Sequence, residues 1–207
     1  MNTSEPIYHV EAWDPAHTTG VRGKECLAED GADPLSVKGD SCLGRGELEA
    51  AEQYYLRVLQ ARPDHSGGLV GLAQVALNRG DIDRARQLTH HLRRTAANPE
   101  MAAAMQWSIR LLKECLKLGG PVQIADRAAS DPEDARTLYA LAVCLAARGR
   151  LLNSLEHLSL ILEDQSLLHR VDVSETMRHV LFIAEQRGVP VDPYWTRLPH
   201  ATGPTWP

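Results

Sequence analysis

Two glycines, Gly46 and Gly80, lie 34 residues apart, and each stands between two stretches in which apolar residues recur at spacings of three and four. That spacing indicates amphipathic helices. Glycine tolerates the left-handed backbone conformation that a tight turn between two helices needs. In the first copy, residues 34–63, Pro63 ends the second helix. A fixed period of this length predicts helical hairpins that stack on one another.

The second copy runs from Ser66 to Pro99 with its turn at Gly80. In the first copy, Gly39 is expected to let two helices approach closely, with Ala51 at the crossing. In period, turn and small-residue positions, the two copies resemble the tetratricopeptide repeat. This resemblance implies an array in which the first helix of each hairpin lines a concave groove.

Residues 100–118 predict a lengthened helix ended by Gly119, and a short helix follows it. A further hairpin turns at Gly149, and a last amphipathic helix is predicted over residues 172–187. Such a terminal helix would cover the apolar face of the last repeat. The fold class predicted is therefore all-α, a helical hairpin solenoid of about four tetratricopeptide-like repeats with a C-terminal capping helix.

The order of parts over residues 34–187 is more specific than the repeat itself. It comprises two regular repeats, the irregular third hairpin, the DPED at Asp131 to Asp134, and the turn ARGR at Ala147 to Arg150. This order resembles the C-terminal half of the thioredoxin-like chaperedoxins of the YbbN/CnoX type. The resemblance implies a bacterial holdase that passes clients to the chaperonin. We expect the thioredoxin domain of that family to be absent here.

Three segments are predicted from charge and proline content. Residues 1–33 carry seven acidic and two basic residues, a net charge of −5, whereas the remainder holds twenty of each. We expect this acidic arm to be mobile, or anchored to the helical body by Tyr8 and Trp13. Residues 34–188 form the repeat domain. Residues 189–207 contain five prolines and predict an extended tail.

Catalytic and metal-binding patterns are lacking in the sequence. No acid and base stand at a useful spacing, no glycine-rich loop follows a strand, and the histidines are scattered, so no catalytic residue, cofactor or metal site is predicted. The four cysteines form no CxxC pair, and we interpret them as small buried hydrophobes. No signal sequence or long apolar run is present, which predicts a soluble cytoplasmic protein.

The partner-binding positions predicted for the groove lie on the first helices of successive hairpins. Their lining is mostly apolar and suits a hydrophobic segment of a partner protein. The same residues could equally be core between repeats. They are Ser36, Asp40, Leu43, Val70, Gln74, Leu77, Ile109, Lys113, Tyr139 and Val143.

Two further surfaces are candidates for partner binding. Arg84, Arg93 and Arg94 are interpreted as a basic patch for an acidic segment or as a solvated helix face. In the tail, Tyr194 and Trp195 are expected to be ordered against the last helices. The end of the chain, including Trp206, is expected to be ordered only by a partner.

The function predicted is protein–protein interaction, as a small chaperone or assembly factor that holds a partner segment in its groove. The alternative is a thiol-dependent factor that acts through Cys26. No enzyme activity, nucleic-acid partner or membrane partner is predicted, since the basic residues form no wide positive excess.

Overall fold

The structure, a computed structural model, describes residues 33–95, 99–131, 134–163 and 173–198. These residues form ten helices and no strand. The first hairpins are α1 (Pro34–Gly44) with α2 (Leu48–Ala61), and α3 (Ser66–Arg79) with α4 (Ile82–Thr95). Then follow α5 (Pro99–Lys117), α6 (Gly120–Ser130), α7 (Ala135–Ala147), α8 (Leu151–Glu163), α9 (Val173–Gln186) and α10 (Asp192–Trp195).

Helices adjacent in the chain pack as pairs, and the pairs stack. The close pairs are α1 with α2, α3 with α4 and α7 with α8, and α2 packs on α3. The predicted all-α hairpin solenoid is confirmed. The third hairpin is irregular, because the short α6 packs more on α7 than on α5.

Local sequence explains where these helices begin. Asp33 accepts a hydrogen bond from the Leu35 backbone N–H (2.9 Å), and Asp134 accepts one from Thr137 (2.9 Å). The His65 ring nitrogen Nδ1 accepts from the Gly68 N–H at the start of α3 (3.1 Å). Each bond satisfies a donor that the first helical turn leaves unpaired.

The ring of Tyr55, on α2, fills the crossing between α1 and α3. It is fully buried, and a Cβ added at Gly39 would lie 2.6 Å from its Cε1. A Cβ at Gly71 on α3 would clash with the same ring. The close approach predicted at Gly39 is thus confirmed, and a second glycine on α3 shares the role.

The helix α9 covers the last hairpin, as predicted, but it also reaches further. It packs on α8 and equally closely along α5. Its apolar face, which includes Met177, Val180 and Leu181, joins the main core. The capping helix therefore lies across the inner side of the second half of the array.

The tail differs from its prediction in one respect. Residues 189–207 were predicted to be extended, whereas α10 forms one helical turn at Asp192–Trp195. Pro193 permits this turn because a first helical turn needs no N–H from that position. Residues 1–32 of the acidic arm and the chain end from residue 199, with Trp206, lie outside the described residues, whereas Asp33, the last residue of the arm, caps α1.

Candidate functional site

Four of the ten predicted groove positions belong to the hydrophobic core. Val70, Leu77, Ile109 and Val143 are buried within the main hydrophobic cluster, and their side chains are not available on the surface. The prediction of these four as groove contacts is corrected accordingly. The reason is that these apolar side chains pack between neighbouring helices in one continuous core.

The groove of the second half is covered by α9. Tyr139 of α7, a predicted groove residue, shares a hydrogen bond with Thr176 of α9 (hydroxyl oxygens 3.0 Å apart). Trp107 of α5 stacks on His179 of α9, with ring centroids 3.3 Å apart. Tyr139 and Trp107 are both partly buried, and α9 takes up part of each side chain. Lys113 of α5, also a predicted groove residue, is half-buried.

The first half of the groove stays open around α1. Asp40 is exposed, Leu43 is partly exposed, and Ser36 is buried beside Gly67. The Tyr55 hydroxyl passes between the helices and donates a hydrogen bond to Asp40 Oδ1 (2.7 Å). Although Asp40 keeps surface accessible to water, desolvation by the protein around its carboxyl group raises its pKa, while the Tyr55 bond and the charge of Arg187 lower it.

Arg187, just after α9, is the charged group that acts on Asp40. Its Nη1 donates to Gln74 Oε1 (3.0 Å), and Gln74 Nε2 donates to the backbone oxygen of Ala147 (3.2 Å). Burial lowers the pKa of Arg187, and the neighbouring Asp40 and Tyr55 oppose that shift. We call Asp40, Tyr55, Gln74 and Arg187 the Asp40–Arg187 site.

Asp40 and Gln74 are among the groove positions predicted from the sequence, whereas Arg187 is not. The contact between Arg187 and Gln74 joins residues 113 positions apart. No local pattern marks it, since an arginine at a helix end is usually explained by the helix dipole. The turn glycine Gly149 was visible in the sequence, and its place beside Arg187 was not. A Cβ added at Gly149 would lie 2.9 Å from the Arg187 Nη1.

The predicted basic patch is dispersed along α4. Arg84 binds Glu52 of α2 (2.7 Å), which also accepts from Arg79 (2.5 Å). Arg93 and Arg94 are exposed in the last turn, about 14 Å from Arg84 along the helix axis. The structure does not bring the three arginines together, and Arg84 forms an ion pair that links α4 to α2.

The tail residues Tyr194 and Trp195 both pack on the main core. The Trp195 indole Nε1 donates to Glu185 Oε1 of α9 (2.7 Å). Burial raises the pKa of Tyr194, with the charge of Glu156 on α8 in the same direction. The segment is thus ordered against α8 and α9, and these two aromatic side chains contribute to stability.

The cysteines depart from their prediction as small buried hydrophobes. Cys115 of α5 and Cys144 of α7 form a disulfide with their Cα atoms 5.0 Å apart. Cys42 is a free buried thiol, as predicted. Cys26, on which the thiol-dependent alternative rests, lies outside the described residues.

The parts of the chain that the structure describes contain neither a candidate membrane span nor a candidate metal cluster. No helix there is both long and apolar enough to cross a membrane. No three His, Cys, Asp or Glu side chains in those ranges are grouped so that they could hold a metal ion.

Residues 43–107 match a family model described as tetratricopeptide repeat. No match was found among curated proteins or among solved structures. The family match covers this part of the chain, and the stacked helix pairs are consistent with an all-α solenoid of tetratricopeptide-like repeats. Repeats of this kind generally mediate protein–protein interaction, and the fold is typical of non-enzymatic interaction modules. None of these comparisons bears on the chaperedoxin resemblance, which stays a prediction.

Proposed function

We propose that this chain is a protein-interaction module, a small chaperone or assembly factor, that holds a segment of a partner protein in the open first half of its groove. The observation that carries the proposal is the contrast between the two halves. α9 covers the groove of the second half, whereas α1 leaves Asp40 and Leu43 accessible. A partner would therefore meet α1 first.

The surface around Asp40 combines apolar and polar groups. Val37 is 53% exposed and stands three residues before Asp40, which puts both side chains on one face of α1. An exposed valine beside a hydrogen-bonding carboxylate suits a partner segment that is apolar with some polar atoms. This is the mixed chemistry of a protein chain, and we propose a protein, not nucleic acid or a membrane, as the partner.

The cellular compartment is part of the proposal. The sequence predicts a cytoplasmic protein. The disulfide between Cys115 and Cys144 argues against that compartment, because disulfides persist mainly in oxidising compartments. The location therefore stays a prediction, and the interaction proposed for α1 holds in either compartment.

Site-specific photo-cross-linking tests where the partner binds. A benzophenone amino acid at Val37 should cross-link to a partner in cells of the source organism. The matched control is the same probe at Val122 of α6, a valine 72% exposed on a different part of the array. Equal cross-linking from both positions, or cross-linking from Val122 alone, would contradict the proposal. Many cross-linked species would indicate a holdase, and a single species an assembly factor.

A further inference from the structure

Asp40 and Arg187 are oppositely charged groups that act on each other's pKa, and within the described residues no ion pair joins them. Gln74, which binds Arg187, lies one helical turn after Gly71 on α3, and Gly71 packs on the ring of Tyr55. Tyr55 in turn donates to Asp40. These contacts connect the two charged groups through one turn of α3, and each charge acts on the pKa of the other.

The guanidinium of Arg187 is held in place by three elements. Gln74 accepts from its Nη1, and the amide of Gln74 is fixed by the Ala147 carbonyl at the end of α7. Gly149, in a left-handed conformation (φ 81°), leaves the space that the guanidinium occupies. A side chain at position 149 would collide with Arg187. The arginine is therefore positioned before any partner arrives, which reduces the entropy lost on binding.

Each charged group keeps hydrogen-bonding capacity. Tyr55 uses one carboxylate oxygen of Asp40, and Gln74 uses one nitrogen of Arg187. Within the described residues, the structure gives no protein partner for Asp40 Oδ2, or for the Nε and Nη2 of Arg187. The carboxylate can accept one more hydrogen bond, and the guanidinium can donate two or more.

We propose that the Asp40–Arg187 site binds a main-chain amide pair of an extended partner peptide, with Asp40 accepting from the N–H and Arg187 donating to the C=O of one residue. In an extended chain, both backbone groups of a residue point to the same side. A simple anion would be repelled by Asp40, and a simple cation by Arg187. An amide is neutral and offers the donor and the acceptor together.

This inference rests on the proposed function and deepens it, because it states how the partner is held. Recognition of main-chain atoms makes binding independent of side-chain identity at that one residue. Specificity would then come from neighbouring residues of the peptide that meet Val37 and Leu43.

The test uses the full chain and peptides selected from a phage-displayed library of random 12-residue sequences. Selected peptides should bind the Asp40→Asn and Arg187→Gln variants at least about tenfold more weakly, since each variant weakens a hydrogen bond to a charged group. The matched controls are Asp126→Asn and Arg57→Gln, which change exposed residues of the same types elsewhere and should leave affinity unchanged. Thermal melting of each variant confirms that it is folded.

Methylation of single backbone nitrogens of the peptide distinguishes a bound main-chain amide from a bound Asn or Gln side-chain amide. At one position of the peptide, N-methylation should abolish binding to the parent protein and make little difference to the Asp40→Asn variant. If replacement of an Asn or Gln side chain of the peptide has that effect instead, the main-chain assignment is wrong. Selection of no peptide, or equal affinity for parent and both site variants, also overturns the proposal.

The same peptides, tested on protein with the photo-probe at Val37 or at Val122, distinguish failure of the amide site from failure of the groove proposal. Peptides that cross-link at Val37 but bind the Asp40→Asn and Arg187→Gln variants normally would refute the amide site and leave the groove proposal standing. Peptides that bind well but cross-link only from Val122 would refute both.

Discussion

At the residue scale, the first hairpin depends on Tyr55 and on two glycines that leave room for it. The ring has no exposed surface, and its hydroxyl emerges at Asp40. Burial raises the pKa of Tyr55 far above its ordinary range, so the hydroxyl keeps its proton and remains a donor. One side chain thus supports both the packing of α1 on α3 and the orientation of Asp40.

Gly71→Ala tests this packing. A Cβ at position 71 would overlap the Tyr55 ring, and overpacking of a core typically costs about 1–3 kcal/mol. The gain in helix propensity, at most about 1 kcal/mol, offsets only part of this cost. We expect the urea midpoint of unfolding to fall.

Gly44→Ala is the control for that change. Gly44 lies at the end of α1 with open space around it, so alanine should leave stability unchanged or raise it by about 0.4–1 kcal/mol. If both variants show the same midpoint as the parent, the ring does not pack as described.

At the scale of elements, α5 connects the two halves of the array. It packs on α4, α7 and α9, and its Cys115 is bonded to Cys144 of α7. The loop closed by the disulfide contains α6, the second helix of the irregular hairpin. The packing of α6 on α5 is slight. A covalent bond thus secures the part of the array with the least regular packing.

Removal of this disulfide should lower the thermal stability. The bonded cysteines are 29 residues apart, and the chain-entropy model gives about 3–4 kcal/mol for a loop of this length. For a protein of this size, that corresponds to a decrease in Tm of roughly 10 °C. Thermal melting after refolding with and without a reductant measures the difference.

Cys42→Ala provides the control for the reductant. Cys42 is free, so this variant should lose as much Tm on reduction as the parent does. A Cys115→Ser, Cys144→Ser double variant should melt near the reduced parent in either condition. An unchanged Tm, with two newly reactive thiols detected, would show that the bond contributes nothing to stability.

At the scale of the whole molecule, the sequence predicted the helices and failed on long-range packing. Turn glycines and apolar spacing are local, and they placed the hairpins and the lengthened α5 correctly. The position of α9 along α5, and of Arg187 against Gln74, depends on contacts between residues far apart in the chain, which no local pattern encodes. The Cys115–Cys144 pair was missed for the same reason, since cysteines 29 residues apart become neighbours only after α5 and α7 pack.

The same long-range packing sets how stability depends on pH. His157 of α8 and His179 of α9 both have their pKa lowered below 6.5 by burial. For His179, Arg110 and Arg178 act in the same direction, and Glu175 opposes them. As the pH falls through about 6.5, the unfolded chain binds protons that the folded chain does not. The free energy of unfolding should therefore decrease from pH 7.5 to pH 6.

His179→Phe isolates one of these contributions. Phenylalanine keeps a ring stacked on Trp107 but cannot be protonated, so this variant should lose less stability than the parent between pH 7.5 and pH 6. His90→Gln, at an exposed position of α4, should show the full decrease of the parent. The measurement is the urea midpoint at each pH. A parent midpoint that stays constant or rises as the pH falls would show that α9 does not bury His179 against α5 in solution.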